Sequence, residues 1–266
     1  MLGGISSQLP FAKLATLLGW RSATMSLVYL GLFLAMVYQL VVKDAPNGII
    51  FKTDTREPLF SSLKKVLANG QNWLAGLYVS LVNFPTYIFC GIWGGAFLNQ
   101  VHHFSIGEAT TITMIAFMGF ALGSPLVGGI SDRLGLRKPP MIMGGLLSVV
   151  MMSLITFLPT LPFLFEALFF FVFGFVASLQ VLGYPVMTEN NAPELGATAT
   201  SIGSSLIVLA GCLVPIYGLI LDRTDGTTVL HSALAFKYAN LAVLFCTAGA
   251  LLVAVLVKET YCKRVK

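Results

Sequence analysis

GGISDRLGLRK, residues 128–138, sets Asp132, Arg133, Arg137 and Lys138 around turn-forming glycines, between two apolar runs (residues 110–130 and 140–158) that can each cross a bilayer. The basic side chains Arg133, Arg137 and Lys138 hold such a loop on the cytoplasmic side. Gly128, at the helix end, is expected to let two helices approach closely. Asp132 is placed to accept hydrogen bonds from a neighbouring helix end in one conformation only, which makes the loop a breakable latch.

Composition agrees with a chain that lives in lipid. Hydrophobic residues make up 56% of the 266 and charged residues 10%, with a mean hydropathy of +0.85, far outside the range of soluble domains. The net charge of +5 does not point to nucleic acid, because most basic residues fall in short loops and the tail, where membrane orientation needs them. Cys90, Cys212 and Cys246 lie in apolar runs and Cys262 in the basic tail, without CxxC spacing, so neither a disulfide frame nor a zinc site is indicated. GxxxxGK[ST], HExxH and GxSxG are all absent, which leaves ATP-driven transport within this chain and the familiar hydrolase chemistries without support; no enzyme activity, cofactor or metal is expected. Residues 1–10 carry no charged side chain, so insertion is expected to come from the spans themselves.

Seven apolar windows emerge, at residues 22–42, 73–98, 110–130, 140–158, 161–184, 197–221 and 234–257. The prolines from Pro159 to Pro162 make a turn so tight that the spans on either side must be antiparallel neighbours. Lys43, Lys52, Arg56, Lys64 and Lys65, the three bases of the 128–138 loop, and Lys258, Lys263, Arg264 and Lys266 all fall on one side of this arrangement; Lys13, Arg21, Arg223 and Lys237 fall on the other. The positive-inside rule then puts the amino terminus outside and the carboxyl terminus in the cytoplasm.

Read as GxxxDRxGxRK, the 128–138 loop resembles the cytoplasmic loop signature of the major facilitator superfamily of solute transporters. GWR at residues 19–21 and KDAP at 43–46 are similar to the flanks of the last helix of that family's first repeat. The resemblance implies an all-α membrane protein built as two six-helix repeats joined by a longer cytoplasmic loop. It divides the chain into a first-repeat remnant (1–42), a cytoplasmic linker (43–72), a six-helix second bundle (73–258) and a basic tail (259–266), with about five amino-terminal helices expected to be missing. By the same resemblance the activity is transport of a small polar organic solute by alternating access, coupled to a proton or another ion, in the plasma (inner) membrane. The partners implied are the solute, lipid and the absent half-bundle.

Glu166 is the acidic residue inside a span, where a carboxylate is costly enough to signal function. Glu166, Phe170, Phe173, Ala177, Gln180 and Tyr184 recur at helical spacing in one stripe. If that stripe faces a cavity, Glu166 carries a proton or meets a cation while Gln180 and Tyr184 bond the solute; its closeness to the proline turn equally fits a hydrated carboxylate. Asn83 and Tyr87 flank Pro85 on one face, so a kink with freed carbonyls is expected there, useful for solute binding or for bending. Gly91, Gly94 and Gly95, and the glycines of the third and sixth spans, read as smooth packing faces. Glu189, Asn190, Asn191 and Glu194 form either the second half of the latch, reaching Arg133 or Arg137, or a solvated helix cap. His102 and His103 are expected to be hydrated in a short outer loop. A seven-helix receptor or retinal protein is the alternative with matching topology; it would carry NPxxY or a mid-span lysine on the last helix, and residues 241–257 hold neither.

Overall fold

The computed structural model describes residues 2–42, 59–226 and 230–264. Thirteen α-helices occur among them: α1 (Leu2–Ser7), α2 (Leu9–Leu18), α3 (Trp20–Val41), α4 (Leu59–Ala68), α5 (Gly70–Thr86), α6 (Gly94–Gln100), α7 (Ile106–Leu134), α8 (Lys138–Phe157), α9 (Phe163–Ala177), α10 (Gly183–Glu189), α11 (Gly196–Gly211), α12 (Val214–Asp225) and α13 (Ala233–Leu256). Joined across their breaks, these give seven segments long and apolar enough to span a membrane, in the order expected, and no strand is present among the described residues. The fold is all-α. Residues 9–18 form a helix where the sequence offered only a lead-in to the first span, and the last part of the expected linker is helical (α4). The first part of that linker, residues 43–58, lies outside the described residues.

Helix α5 is the hub of the bundle. Its face of Ala75, Tyr78, Val79, Val82 and Phe84 is buried, and it packs against α9, α10, α11 and α13. Lipid tails are as apolar as leucine, so burial alone does not drive helices together in a membrane; close backbone contact and interhelical hydrogen bonds have to. The structure shows both. A Cβ on Gly119 would sit 2.1 Å from the Phe171 carbonyl oxygen and one on Gly174 would sit 1.8 Å from that of Ala116, so α7 and α9 touch backbone to backbone at two glycines. Gly145 does the same for α8 against Leu251 of α13. Gly128 does not: nothing lies within 4 Å of a Cβ there, nor at Gly91 or Gly95, so the close approach expected at Gly128 occurs instead nine residues earlier in the same helix. Ser80 donates to the Leu206 carbonyl at 2.9 Å and Tyr217 to Oδ1 of Asn240 at 2.7 Å, tying α5 to α11 and α12 to α13.

Two long spans are irregular in mid-course. After Pro85 the chain runs on to Thr86, turns π-helical over Tyr87–Ile92 and restarts at Gly94 as α6. Proline withholds one backbone donor, and the wider turn and restart follow within two turns. In the fifth span α9 tightens to a 3-10 turn at Ser178–Leu182 before α10.

Candidate functional site

At the α7–α8 corner, Gly135 takes φ +64°, the left-handed cap that a side chain would strain, and the chain reverses over Leu136 and Arg137. This turn carries Arg137 inward, where it is 5% exposed. Its guanidinium donates from Nη2 to Oε1 of Glu189 at 2.7 Å and from Nε to the same oxygen at 3.2 Å, and from Nη1 to Oγ of Ser131 at 3.0 Å. Nη1 also lies 2.7 Å from Oδ1 of Asp132. Burial works against the charge of Arg137, but the bonds from Glu189 and Asp132 outweigh it and push the guanidinium pKa further up. Glu189 in turn accepts from Thr260 of the tail.

A second carboxylate completes the corner. Glu259 accepts from the backbone N–H of Arg137 and of Lys138, both at 2.8 Å, and so caps the amino end of α8. Partial burial raises its pKa, yet these bonds, with those from Tyr261 and Thr260, prevail and hold it below the usual carboxylate range. Asn72 and Asn191 exchange amide hydrogen bonds at 3.3 and 2.7 Å, which locks the start of α5 to the second residue after α10. Asp132, Arg137 and Lys138 are therefore drawn into one network with Glu189, Glu259, Ser131 and Thr260, while Arg133 points outward and Gly128 sits apart from it. Glu259, Ser131 and Thr260 carry no motif; the one available signal was an acidic residue just beyond the last span, facing a helix start that needs an acceptor.

The stripe of the fifth span faces the bundle interior. Glu166, Phe170, Phe173, Ala177 and Gln180 are buried and Tyr184 is half-buried. Phe170 and Phe173 pack in the core, with Phe173 6.2 Å from the Phe89 ring, so they separate Glu166 from Gln180 by about 21 Å along the helix. Those two residues do not form one site. Glu166 is 2% exposed, and Nδ1 of His102 lies 3.2 Å from its Oε1. His102, expected in water, is thus buried against the Phe97 ring at 4.8 Å, because α6 ends two residues before it and the loop folds back against the bundle; His103 stays exposed. His231 from the α12–α13 connection packs on Phe236 of the same aromatic group.

Around the broken fifth helix the polar side chains are only partly satisfied. Asn83 is half-buried and Tyr87 exposed, one turn apart as expected. Thr86 Oγ1 and Gln180 Oε1 are buried and find no hydrogen-bond partner among the described residues, and neither does Trp93 Nε1. By the pairing of Phe89 with Phe173 and of Val79 with Gly183 in antiparallel register, Gln180 stands level with Val82 and Asn83, one turn from Thr86. Thr86 was not singled out in the sequence. A cleft of about 440 Å³ between α12 and α13, lined by Ile216, Leu219, Ile220, Arg223, Thr224 and Tyr238, shares no residue with this group. No cluster of three metal-ligating side chains occurs among the described residues.

Among curated proteins none matches the chain. The model of the Major Facilitator Superfamily matches residues 2–215, from α1 into α12, and includes the Asp132 corner, the broken helix and the whole fifth span. Seven membrane-spanning segments, a charged corner between two of them and this match over most of its length lead to one conclusion: the chain belongs to the Major Facilitator Superfamily, and is a membrane transporter protein.

Proposed function

We propose that the protein carries a small, polar, uncharged organic solute by alternating access, with Asn83, Thr86, Tyr87, Gln180 and Tyr184 along the pathway. One observation carries this reading: Thr86 and Gln180 bury hydrogen-bonding oxygens without partners among the described residues, beside a helix broken partway along its span. Such groups cost free energy in a closed bundle, and a solute that supplies donors and acceptors removes that cost. The spans bring no Lys or Arg to this level, which favours hydroxyl, amide or similar neutral groups over an anion. Glu166 with His102 is the proton-carrying pair in this reading, set at the far end of the fifth span from the Arg137 corner. The linker at 43–72 and the tail lie in the cytoplasm, the amino terminus outside, in the plasma membrane, and a facing bundle is the partner with which this one alternates.

The test is uptake of labelled sugars, amino acids and neutral amides into proteoliposomes, with and without a proton gradient. Asn83→Ala and Gln180→Ala are expected to lower uptake about tenfold each, the equivalent of one lost hydrogen bond. Uptake undiminished in both variants overturns the assignment of the pathway, and a flux indifferent to the proton gradient overturns the role given to Glu166.

A further inference from the structure

Helix α12 has two sides of opposite character. Ile216, Leu219, Ile220, Arg223 and Thr224 follow one another at steps of three, one, three and one residues, and so share the side that borders the cleft to α13. Asp222 and Asp225 fall on the other side and are engaged there: Asp225 accepts from the backbone N–H and the hydroxyl of Ser232, and Asp222 lies 3.9 Å from Nε2 of His231. Arg223 is exposed, and among the described residues no hydrogen bond or ion pair engages it. The cleft side of α12 therefore presents one positive charge and no carboxylate. Opposite it, Tyr238, Ala242 and Cys246 make a stripe on α13 at steps of four, and the small side chain of Ala242 leaves room between the helices. The cleft of about 440 Å³ below Arg223 shares Ile216 and Ile220 with a second of about 90 Å³ that reaches Leu213 and Phe84, so the two form one groove. Tyr217, bonded to Asn240, and Val243 are buried beneath it. From Thr224 to Leu213 the groove follows about 16 Å of helix, half of a hydrocarbon core of about 30 Å. Arg223, Thr224 and Tyr238 stand together at one end, the end opposite the Arg137 corner, since α13 begins near Tyr238 and finishes beside Glu259.

We infer that this groove holds one phospholipid of the leaflet opposite the Arg137 corner, its phosphate on Arg223 and one acyl chain laid between α12 and α13 as far as Phe84. Two features select that occupant. A guanidinium beside two hydroxyl side chains matches the oxygens of a phosphodiester, and hydrogen bonds assisted by charge are about twice as strong as neutral ones. A depth of one leaflet, apolar below its mouth, fits a lipid tail and gives a water-soluble phosphate compound nothing to place there. The amino-terminal helices are seated elsewhere, α1 and α2 against α7 and α3 against α2. No residue of the groove belongs to the solute pathway, so the lipid site stands whether or not that pathway is the one assigned.

The full chain in detergent, with Trp20, Trp73 and Trp93 changed to Phe and Leu219→Trp as a reporter in the groove, is titrated with phosphatidylglycerol whose acyl chains carry bromine, a contact quencher. Saturable quenching is expected, and Arg223→Ala is expected to raise the apparent Kd about tenfold, the equivalent of one hydrogen bond to a charged group. Arg223→Lys keeps part of the affinity, because the charge remains while the fork is lost. Ala242→Phe fills the lower groove and leaves Arg223 in place, so it weakens binding of the long-chain lipid and spares a short-chain analogue. Brominated diacylglycerol, which has no phosphate, is expected to bind the parent protein as weakly as phosphatidylglycerol binds Arg223→Ala, and excess inorganic phosphate is expected not to displace the lipid. The thermal midpoint of the chain with its native tryptophans rises with the same lipid, and rises less in Arg223→Ala. Equal binding of phospholipid and diacylglycerol overturns the site, as do displacement by inorganic phosphate and affinities and midpoints unchanged in both Arg223→Ala and Ala242→Phe. Reporter emission that responds to protein concentration and not to lipid also overturns it, in favour of a second copy of the chain as the occupant.

Discussion

Arg137 and Asp132 pair directly in one network yet have opposite exposures, 6% and 65% at the side chain, and that difference sorts the consequences of changing them. Arg137→Ala leaves the Glu189 carboxylate buried without its cation and is expected to lower stability by about 3–5 kcal/mol. Arg137→Lys falls between, because an ammonium cannot reproduce the fork that meets Glu189 through Nε and Nη2. Asp132→Asn, at the wet edge, is expected to cost no more than about 1 kcal/mol and to insert normally, while solute flux is lost. Thermal unfolding in detergent and vesicle uptake, measured on the same preparations, check this ordering. Glu259 adds a pH dependence: its folded-state pKa is depressed, so its contribution is complete above the unfolded value of about 4.3 and disappears as the pH falls through the lower folded value. The wild type is therefore expected to melt above Glu259→Gln at pH 6 and to approach it as the pH falls through the depressed folded value; a gap that stays constant as the pH is lowered counts against the cap. The motif pointed to Asp132 and Arg137 because charge between two apolar runs is conspicuous in a sequence. It could not point to Glu259 or Thr260, whose role depends on where α13 ends relative to the start of α8.

Between helices the decisive residues are those that lack a side chain. Gly174→Ala drives a methyl into the Ala116 carbonyl and Gly119→Ala one into that of Phe171, and since both obstacles are backbone the pair of helices must separate. Overpacking of this kind costs about 1–3 kcal/mol or more. Gly128→Ala, with open space around it, is expected to melt within about 0.5 kcal/mol of the wild type. A Gly128 variant as damaged as Gly174→Ala overturns that ranking. All seven spans were legible because about 20 consecutive apolar residues have few other readings. The contacts among them were not, since every apolar span looks alike from outside and glycine spacing alone cannot say which face meets a partner. Breaks were half legible: Pro85 announces an irregular fifth helix, while the 3-10 turn at Ser178–Leu182 contains neither proline nor glycine and arises where α5, α7 and α8 crowd it. That tightening explains why an ideal helical stripe drawn from Glu166 to Tyr184 ends with a half-exposed tyrosine.

At the scale of the whole chain, the two ends of the bundle differ in a way that orients it. The Arg137 corner, α4 with Lys64 and Lys65, and the tail with Lys258, Lys263 and Arg264 gather at one end, and the His102, Glu166 and His231 group gathers at the other, which has far fewer bases. Basic residues resist translocation, so the first end is expected in the cytoplasm. Residue 230 and Cys262 flank α13 and nothing else that can span, so they must lie on opposite sides if α13 crosses. Cys262 is half-buried; the cost of burial, joined by the nearby carboxylates of Glu189, Asp132 and Glu259 and opposed by Arg137, pushes its thiol pKa up. Its modification is therefore slow at neutral pH and is best measured near pH 8.5, where more thiolate is present. In intact cells a membrane-impermeant maleimide is expected to label Leu230→Cys in a background lacking the native cysteines, and to reach Cys262, as the sole cysteine, only after the membrane is opened. Labelling of both from outside removes α13 as a crossing helix; labelling of Cys262 alone from outside inverts the protein and with it the side on which the Arg137 corner works.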